Sequence, residues 1–138
     1  MKRACALCAA LVIALCAVSC GRVNGNVTNG YEILGYPFGV TGAEITHYYG
    51  ADRIVVSFGD TGELTKLKNW FANLRCRPKT FEPGNAPGDA DGGEAYVIVF
   101  KGEEDRSASY VKVGEKKCYL LLDDAWYAVE NPSDPPGI

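Results

Sequence analysis

The chain has 138 residues, of which 47% are hydrophobic and 22% are charged, with 14 basic and 17 acidic side chains. A chain of this length is expected to form one domain with a single core. The acidic balance argues against a nucleic-acid partner, because such a partner requires a basic face.

The first residues have the pattern of a bacterial secretory signal. Lys2 and Arg3 form a basic start, and an apolar stretch that ends in small residues follows from Ala4 to Val18. The 17 residues from Ala4 to Cys20 would barely cross a bilayer as a helix. We therefore predict that residues 1–19 are a signal peptide. Its removal takes two of the 14 basic side chains and leaves all 17 acidic ones, so the mature chain is more acidic.

The residues Ala17-Val18-Ser19-Cys20 resemble the lipobox of bacterial lipoproteins. The resemblance implies that Cys20 is lipidated, becomes the new N-terminus and holds the protein at the extracytoplasmic face of the cell membrane. Ala17 stands where the lipobox usually has Leu, and Ala17 and Ser19 also fit ordinary signal-peptidase cleavage, which would release a secreted protein. The lipoprotein is the preferred interpretation, and secretion is the alternative.

Residues 20–42 are rich in Gly and Asn and lack a sustained apolar period. This composition predicts a flexible tether behind the lipid, with one short strand over residues 31–34. The alternative is a loop that packs on the domain through Tyr31, Tyr36 and Phe38.

A hairpin is the first predicted element of the domain. Residues 44–49 and 53–58 are rich in β-branched and aromatic side chains, and a short turn with a Gly separates them. This pattern predicts two antiparallel strands.

An amphipathic helix follows over residues 61–75. Asp60 and Glu63 have the spacing of a capping box, and the apolar residues after them recur at helical spacing. We expect Trp70 and Leu74 to anchor this helix on the sheet.

Pro78 is expected to end the helix, and the Pro- and Gly-rich residues 80–93 predict a loop. Three strand-like runs then predict a meander, and a fourth run and a Pro-rich tail close the chain. The runs cover residues 94–101, 107–113, 118–122 and 125–130, and the tail covers residues 132–138. The sequence thus predicts an α+β domain over residues 43–131, with one amphipathic helix packed on an antiparallel sheet of a hairpin and a three- to four-stranded meander.

Three segments of the domain form a distinctive layout, namely residues 64–70 in the helix, 109–113 in a strand and 118–129 at the end. Over about residues 44–130, this layout resembles a small extracytoplasmic domain of unknown function from lipoproteins of Gram-positive bacteria. Asp123 and Asp124 occupy a bend where its relatives often have a Pro. The resemblance implies a fold and a location, and it brings no known activity.

Few side chains could carry catalysis. His47 is the single histidine and has no identifiable partner in the sequence, so we interpret it as structural. Asp123 and Asp124 could serve a small cell-envelope hydrolase as acid and base if the bend brought them to one side of the sheet. The simpler interpretation is a pair of turn residues, and no catalytic residue is assigned.

Metal-binding patterns are equally weak. Asp89 and Asp91 have the spacing of two calcium ligands, but Glu94 and Phe100 stand where an EF-hand needs Gly and Glu. The sequence has no Walker loop, dinucleotide fingerprint or Cys/His metal spacing. We expect no metal and no cofactor.

Two cysteines follow Cys20 in the mature chain, Cys76 and Cys118. An oxidising compartment would permit a disulfide between them. Two buried thiols are the equally weighted alternative, because the sequence does not give the distance that a bridge requires.

Aromatic residues give the remaining clue to function. One helix covers one face of a sheet and leaves rings on the other face, where they make good contact residues. Tyr119, Trp126 and Tyr127 are the candidate ligand-binding residues, and only one of the adjacent pair Trp126 and Tyr127 can share a face with Tyr119. The alternative is that these rings fill the core. The preferred function is a non-catalytic, membrane-tethered module that binds a protein or a cell-envelope ligand.

Overall fold

A computed structural model describes residues 26–35, 39–87 and 93–138 of the chain. The predicted signal peptide, Cys20, Tyr36, Phe38, Asp89 and Asp91 lie outside these residues. The elements are the helices α1 (Gly30–Leu34) and α2 (Thr61–Ala72) and the strands β1 (Thr28–Asn29), β2 (Gly42–Tyr49), β3 (Asp52–Phe58), β4 (Arg75–Lys79), β5 (Glu94–Lys101), β6 (Arg106–Val113), β7 (Lys117–Leu122) and β8 (Ala125–Val129).

The eight strands form one antiparallel sheet in the order β1-β4-β8-β7-β6-β5-β2-β3. The predicted antiparallel sheet is confirmed. The predicted size is wrong, because the sheet contains β1 and β4 in addition to the predicted hairpin and meander. The predicted α+β class with one helix is also corrected, because the described residues form a mostly β fold with two short helices.

Two connections join distant strands of the sheet. The first leads from β3, at one edge, to β4, near the other edge, and contains α2. The second leads from β4 back to β5, and its described residues 80–87 lie on the face opposite α2. We call the face under α2 the helix face and the other the open face.

Helix α2 begins where the capping residue predicts. Asp60 Oδ1 accepts hydrogen bonds from the backbone N–H of Gly62 at 2.7 Å and of Glu63 at 3.4 Å, which satisfies donors that have no partner inside the helix. Leu64, Leu67 and Phe71 are buried and pack in the core of the helix face. Of the two predicted anchors, Leu74 is buried in the same core. Trp70 is only partly buried but packs against this core, edge-to-face on Tyr110 of the sheet.

The helix ends at Ala72, three residues earlier than predicted. The Asn131 side chain donates to Asn73 O at 2.8 Å and accepts from Arg75 N at 2.6 Å. These bonds turn the chain directly into β4, which pairs with β8. Pro78 therefore lies in a strand and not at a helix end, and the sheet tolerates it because β1 pairs only with Arg75 and Cys76 on that edge.

The segment that precedes the hairpin is folded onto the domain. The predicted strand over residues 31–34 is the helix α1, which Asn29 caps by accepting from Glu32 N at 2.8 Å. Gly30 N donates to Leu74 O at 3.2 Å, and a Cβ on Gly30 would fall 2.3 Å from Phe71 O. The predicted tether of residues 20–42 thus includes a part that packs tightly against α2.

The Pro-rich residues at the C-terminus also pack on the helix face. Trp70 Nε1 donates to Ser133 Oγ at 2.9 Å, and Ser133 N donates to the Tyr110 hydroxyl at 3.2 Å. Lys112 Nζ lies 2.8 Å from Asp134 Oδ1, and Pro135 is buried. These residues cover a part of the helix face beside α2.

Cys76 and Cys118 are free thiols and are buried. Both pair with Val129, from opposite sides of β8, so two strand spacings of about 4.8 Å each separate their Cα atoms. A disulfide requires less than about 7 Å, and the suggested Cys76–Cys118 bridge is therefore corrected. Burial raises the pKa of Cys76 to about 11, which makes an unreactive thiol.

Candidate binding surface

The open face of the sheet carries two neighbouring rows of side chains that run across the strands. Both rows are largely apolar in their central part, over β5, β6, β7 and β8. The upper row is Val55, Thr46, Val97, Ser109, Leu121, Trp126 and Lys79, and the lower row is Arg53, Tyr48, Ala95, Val111, Tyr119, Ala128 and Arg77.

Residues 80–87, the described start of the loop between β4 and β5, lie on this face. Strands β4 and β5 are four strand positions apart, which is about 19 Å at 4.8 Å per strand. Near the start of the loop, the Phe81 ring makes edge-to-face contacts with Tyr119, at 5.1 Å between centroids, and with Trp126, at 5.6 Å. Lys79 Nζ lies 5.6 Å from the Phe81 centroid. Phe81 therefore holds the start of the loop on the sheet.

A groove of about 510 Å³ lies beside this loop on the open face. Its floor consists of small and aliphatic side chains with one hydroxyl group. Tyr48 and Trp126 line its two ends, and Pro87 borders it from the loop. The floor residues are Ala95, Val97, Ser109, Val111 and Leu121, and all five are only partly buried.

A second hollow of about 500 Å³ lies at the start of the loop. It is formed by the loop residues around Phe81, by the beginning of β8 and by Asp124, which precedes β8. Trp126 lines both this hollow and the groove. The indole thus separates the two spaces, so that a ligand in either one would contact it.

The structure separates the three candidate aromatic residues. Tyr119 and Trp126 lie on the open face and meet through Phe81. Tyr127 lies on the helix face, where it packs against the core. The sequence interpretation missed Phe81 and the aliphatic floor, although Ala95, Val97 and Val99 of β5 alternate with the buried residues and are apolar too, which indicated a strand with two apolar faces.

Asp123 and Asp124 form the two-residue turn between β7 and β8. Their φ angles are 49° and 63°, the left-handed conformation that a tight hairpin requires at both central positions and that Asp tolerates. Asp123 Oδ2 accepts from Arg106 Nη2 at 2.6 Å. Asp123 is thus held by a guanidinium group, and Asp124 lines the second hollow.

A polar cluster lies at one end of the helix face, and its central residue, Glu94, also lines the groove. Glu94 accepts three hydrogen bonds, from Tyr96 Oη at 2.6 Å, from Lys112 Nζ at 2.9 Å and from His47 Nε2 at 3.0 Å. Since the carboxylate accepts, His47 carries its proton on Nε2. Its Nδ1 is buried and, within the described part of the chain, has no hydrogen-bond partner.

Burial and hydrogen bonding have opposite effects on the pKa of Glu94 in this cluster. Burial by itself would raise the pKa of Glu94, but the hydrogen bonds from Tyr96, Lys112 and His47 together lower it. The pKa of Lys112 is raised, because Asp134 and Glu94 accept from its ammonium group. Burial and the bond to Glu94 raise the pKa of Tyr96. The cluster therefore holds fixed charges that bind strand ends together.

His47 is part of this structural contact, since its ring stacks on Tyr96 at 4.2 Å between centroids. Among the residues that the structure describes, no group of three His, Cys, Asp or Glu side chains could hold a metal ion. No helix within the same residues is long and apolar enough to traverse a bilayer.

Comparison of the chain with protein-family models, with curated proteins and with solved structures found no match. The resemblance to the domain of Gram-positive lipoproteins therefore stays a prediction. The groove and the aromatic residues beside it are the features on which a function can be argued.

Proposed function

We propose that this protein is a lipid-anchored extracytoplasmic binding module that takes an elongated, largely apolar ligand of the cell envelope into the groove of its open sheet face. It has no catalytic role in this proposal. The lipid anchor on Cys20 rests on the lipobox-like residues Ala17-Val18-Ser19-Cys20.

The observation that carries the proposal is the apolar character of a face that the helices do not cover. Val97, Val111 and Leu121 lie on three adjacent strands, alternately in the upper and the lower row, and are only partly buried. An aliphatic surface in contact with water is unfavourable by about 25 cal/mol per Å². Contiguous apolar surface of this kind is typical of a binding site.

The shape of the groove indicates the kind of ligand. The strands that carry its end walls, Tyr48 on β2 and Trp126 on β8, are four positions apart, or about 19 Å. The floor between them offers one side-chain hydroxyl, that of Ser109. Such a groove suits a long apolar group.

Capture of a ligand from solubilised native envelope tests this function. Val111→Glu places a charge on the groove floor and should abolish the capture of an envelope component that the wild-type protein retains. Val113→Glu is the matched control, because Val113 lies on the same strand, is 44% exposed and does not line the groove.

Thermal melts of both variants accompany the capture experiment, so that a loss of ligand is not confused with unfolding. Equal capture by the wild type and a folded Val111→Glu variant would refute the groove as the binding site.

A further inference from the structure

Strand β3 forms one edge of the sheet, and no strand of the described part of the chain pairs with its outer side. The opposite edge, β1, has only two residues, whereas β3 has seven. Natural proteins protect long edge strands with Pro, charged side chains or bulges. All of β3 is described, and its sequence DRIVVSF contains no Pro and has its two charged residues, Asp52 and Arg53, only at its start.

The turn before β3 determines which backbone groups are unpaired. Tyr49 and Asp52 face each other across the two-residue turn Gly50-Ala51, and the pair that closes such a turn is hydrogen-bonded. Hydrogen-bonded pairs then alternate along the hairpin. The N–H and C=O groups of Arg53, Val55 and Ser57 therefore point away from β2 and towards the free edge.

The side chains at this edge are apolar and exposed. Ile54 is 54% exposed and Val55 is 47% exposed, although both are β-branched residues that pack well between strands. Ile54 lies on the helix face of the edge and Val55 on the open face. The edge thus offers unpaired backbone groups and apolar contacts on both faces.

We propose that β3 pairs in antiparallel fashion with β3 of a second copy of this chain, with Val55 on the two-fold axis. In this register, Val55 faces Val55 of the partner subunit, and Arg53 faces Ser57 of the partner subunit. All three outward-pointing residues of each chain then form hydrogen-bonded pairs. A shift of the register by two residues in either direction leaves one of the three without a partner.

The side chains agree with this register. Ile54 faces Val56 of the partner subunit on the helix face, which pairs two β-branched residues, and no like charges stand opposite each other. The interface is isologous, as is usual for a dimer with a two-fold axis. The axis is perpendicular to the sheet, so the two open faces, each with its groove, lie on the same side of one continuous sheet.

Sedimentation velocity of the complete mature chain, from micromolar to millimolar protein, tests the dimer. We expect the wild type to form dimers as its concentration rises. Val55→Lys and Val55→Glu each place two like charges on the axis and should each weaken the dimer about fivefold or more. An equimolar mixture of the two variants should restore association as a heterodimer, because unlike charges then face each other.

Val113→Lys is the control for the added charge, since Val113 is also exposed but lies on β6, away from the edge. It should associate like the wild type. A wild type that is monomeric throughout the concentration range, or a mixture no tighter than either variant alone, would overturn the proposal.

Cysteine cross-linking tests the register independently. Val55→Cys places two cysteines opposite each other at a Cα distance of about 5.5 Å, which a disulfide spans. Arg53→Cys is the matched variant, because its two copies would be four residues apart along the strand, or about 14 Å. Cross-linked dimers of Val55→Cys alone support the register, and equal cross-linking of both variants contradicts it.

Discussion

Lys112 lies between two carboxylates, with Nζ 2.9 Å from Glu94 Oε2 and 2.8 Å from Asp134 Oδ1. It therefore connects the start of β5 to the C-terminal residues that cover the helix face. The Lys112 side chain is only 20% exposed, so these bonds are stronger than those of a fully hydrated surface pair.

Lys112→Met should lower the free energy of unfolding by about 1.5 to 3 kcal/mol, because it leaves a partly buried carboxylate without its cation. The measurement is a urea melt with an unchanged slope. Lys66→Met removes an exposed ion pair with Glu63 and should change stability by less than about 0.5 kcal/mol. Similar midpoints for the two variants would contradict the role of Lys112.

The lowered pKa of Glu94 predicts acid sensitivity. A carboxyl group whose pKa is lower in the folded than in the unfolded state adds stability above its unfolded pKa, about 4.3, and loses it as the pH falls through the folded value. The stability advantage of the wild type over Glu94→Gln should thus be constant above about pH 5 and shrink below about pH 4. An advantage independent of pH would exclude this linkage.

Adjacent helix residues should differ in their contribution to stability. Phe71 is fully buried and packs edge-to-face on Phe100, so Phe71→Ala should cost about 3 to 5 kcal/mol through lost transfer energy and a cavity. Trp70→Ala should cost less, because Trp70 is only partly buried. Denaturant melts of the two variants decide the order, and a larger loss for Trp70→Ala would show that Trp70 is the anchor.

The three aromatic residues of the last hairpin should separate into two groups. Tyr119→Ala and Trp126→Ala should weaken the capture of an envelope ligand, since both rings lie on the open face and Trp126 lines the groove. Tyr127→Ala should mainly lower stability, because its ring packs against the core. Capture and thermal melts are measured on the same preparations. Normal capture by both open-face variants would remove the aromatic residues from the binding site.

Lipidation of Cys20 predicts a defined mass and a defined location. The wild type should fractionate with membranes and carry an acyl mass increment in intact-mass measurement, whereas Cys20→Ala should be released or stay as uncleaved precursor. Processed wild-type protein in the medium without the increment would identify ordinary secretion instead.

Local patterns were enough to predict the hairpin, the start of α2 and the meander. In each case the signal lay within a few residues, as with the Asp60 cap and the alternating apolar residues of β5. Strand β4 was missed because its sequence, RCRPK, has one apolar residue and a Pro. Its place in the sheet depends on pairing with β8, about 50 residues later in the chain, and single-segment patterns do not contain such pairing.

The candidate site could be predicted only in part, for a similar reason. Alternation along β7 places Tyr119 on the sheet face opposite to the purely apolar side chains of that strand. The bend between β7 and β8 then allows one of Trp126 and Tyr127 to lie beside Tyr119 on this face. Which of the two it is depends on the cross-strand register, in which Leu121 faces Trp126. The position of residues 80–87 on the open face, and with it the contact of Phe81, follows from the order of strands that are distant in sequence.

The buried Pro135 has a consequence for the order of folding. Its neighbours Ser133 and Asp134 bond to Tyr110 and Lys112, and a Cβ on Gly137 would lie 3.0 Å from Phe58 Cε1, so residues 133–137 complete the helix face. A nascent chain that still lacks them exposes part of its core. The domain should therefore close only after these residues have been synthesised and have left the ribosome.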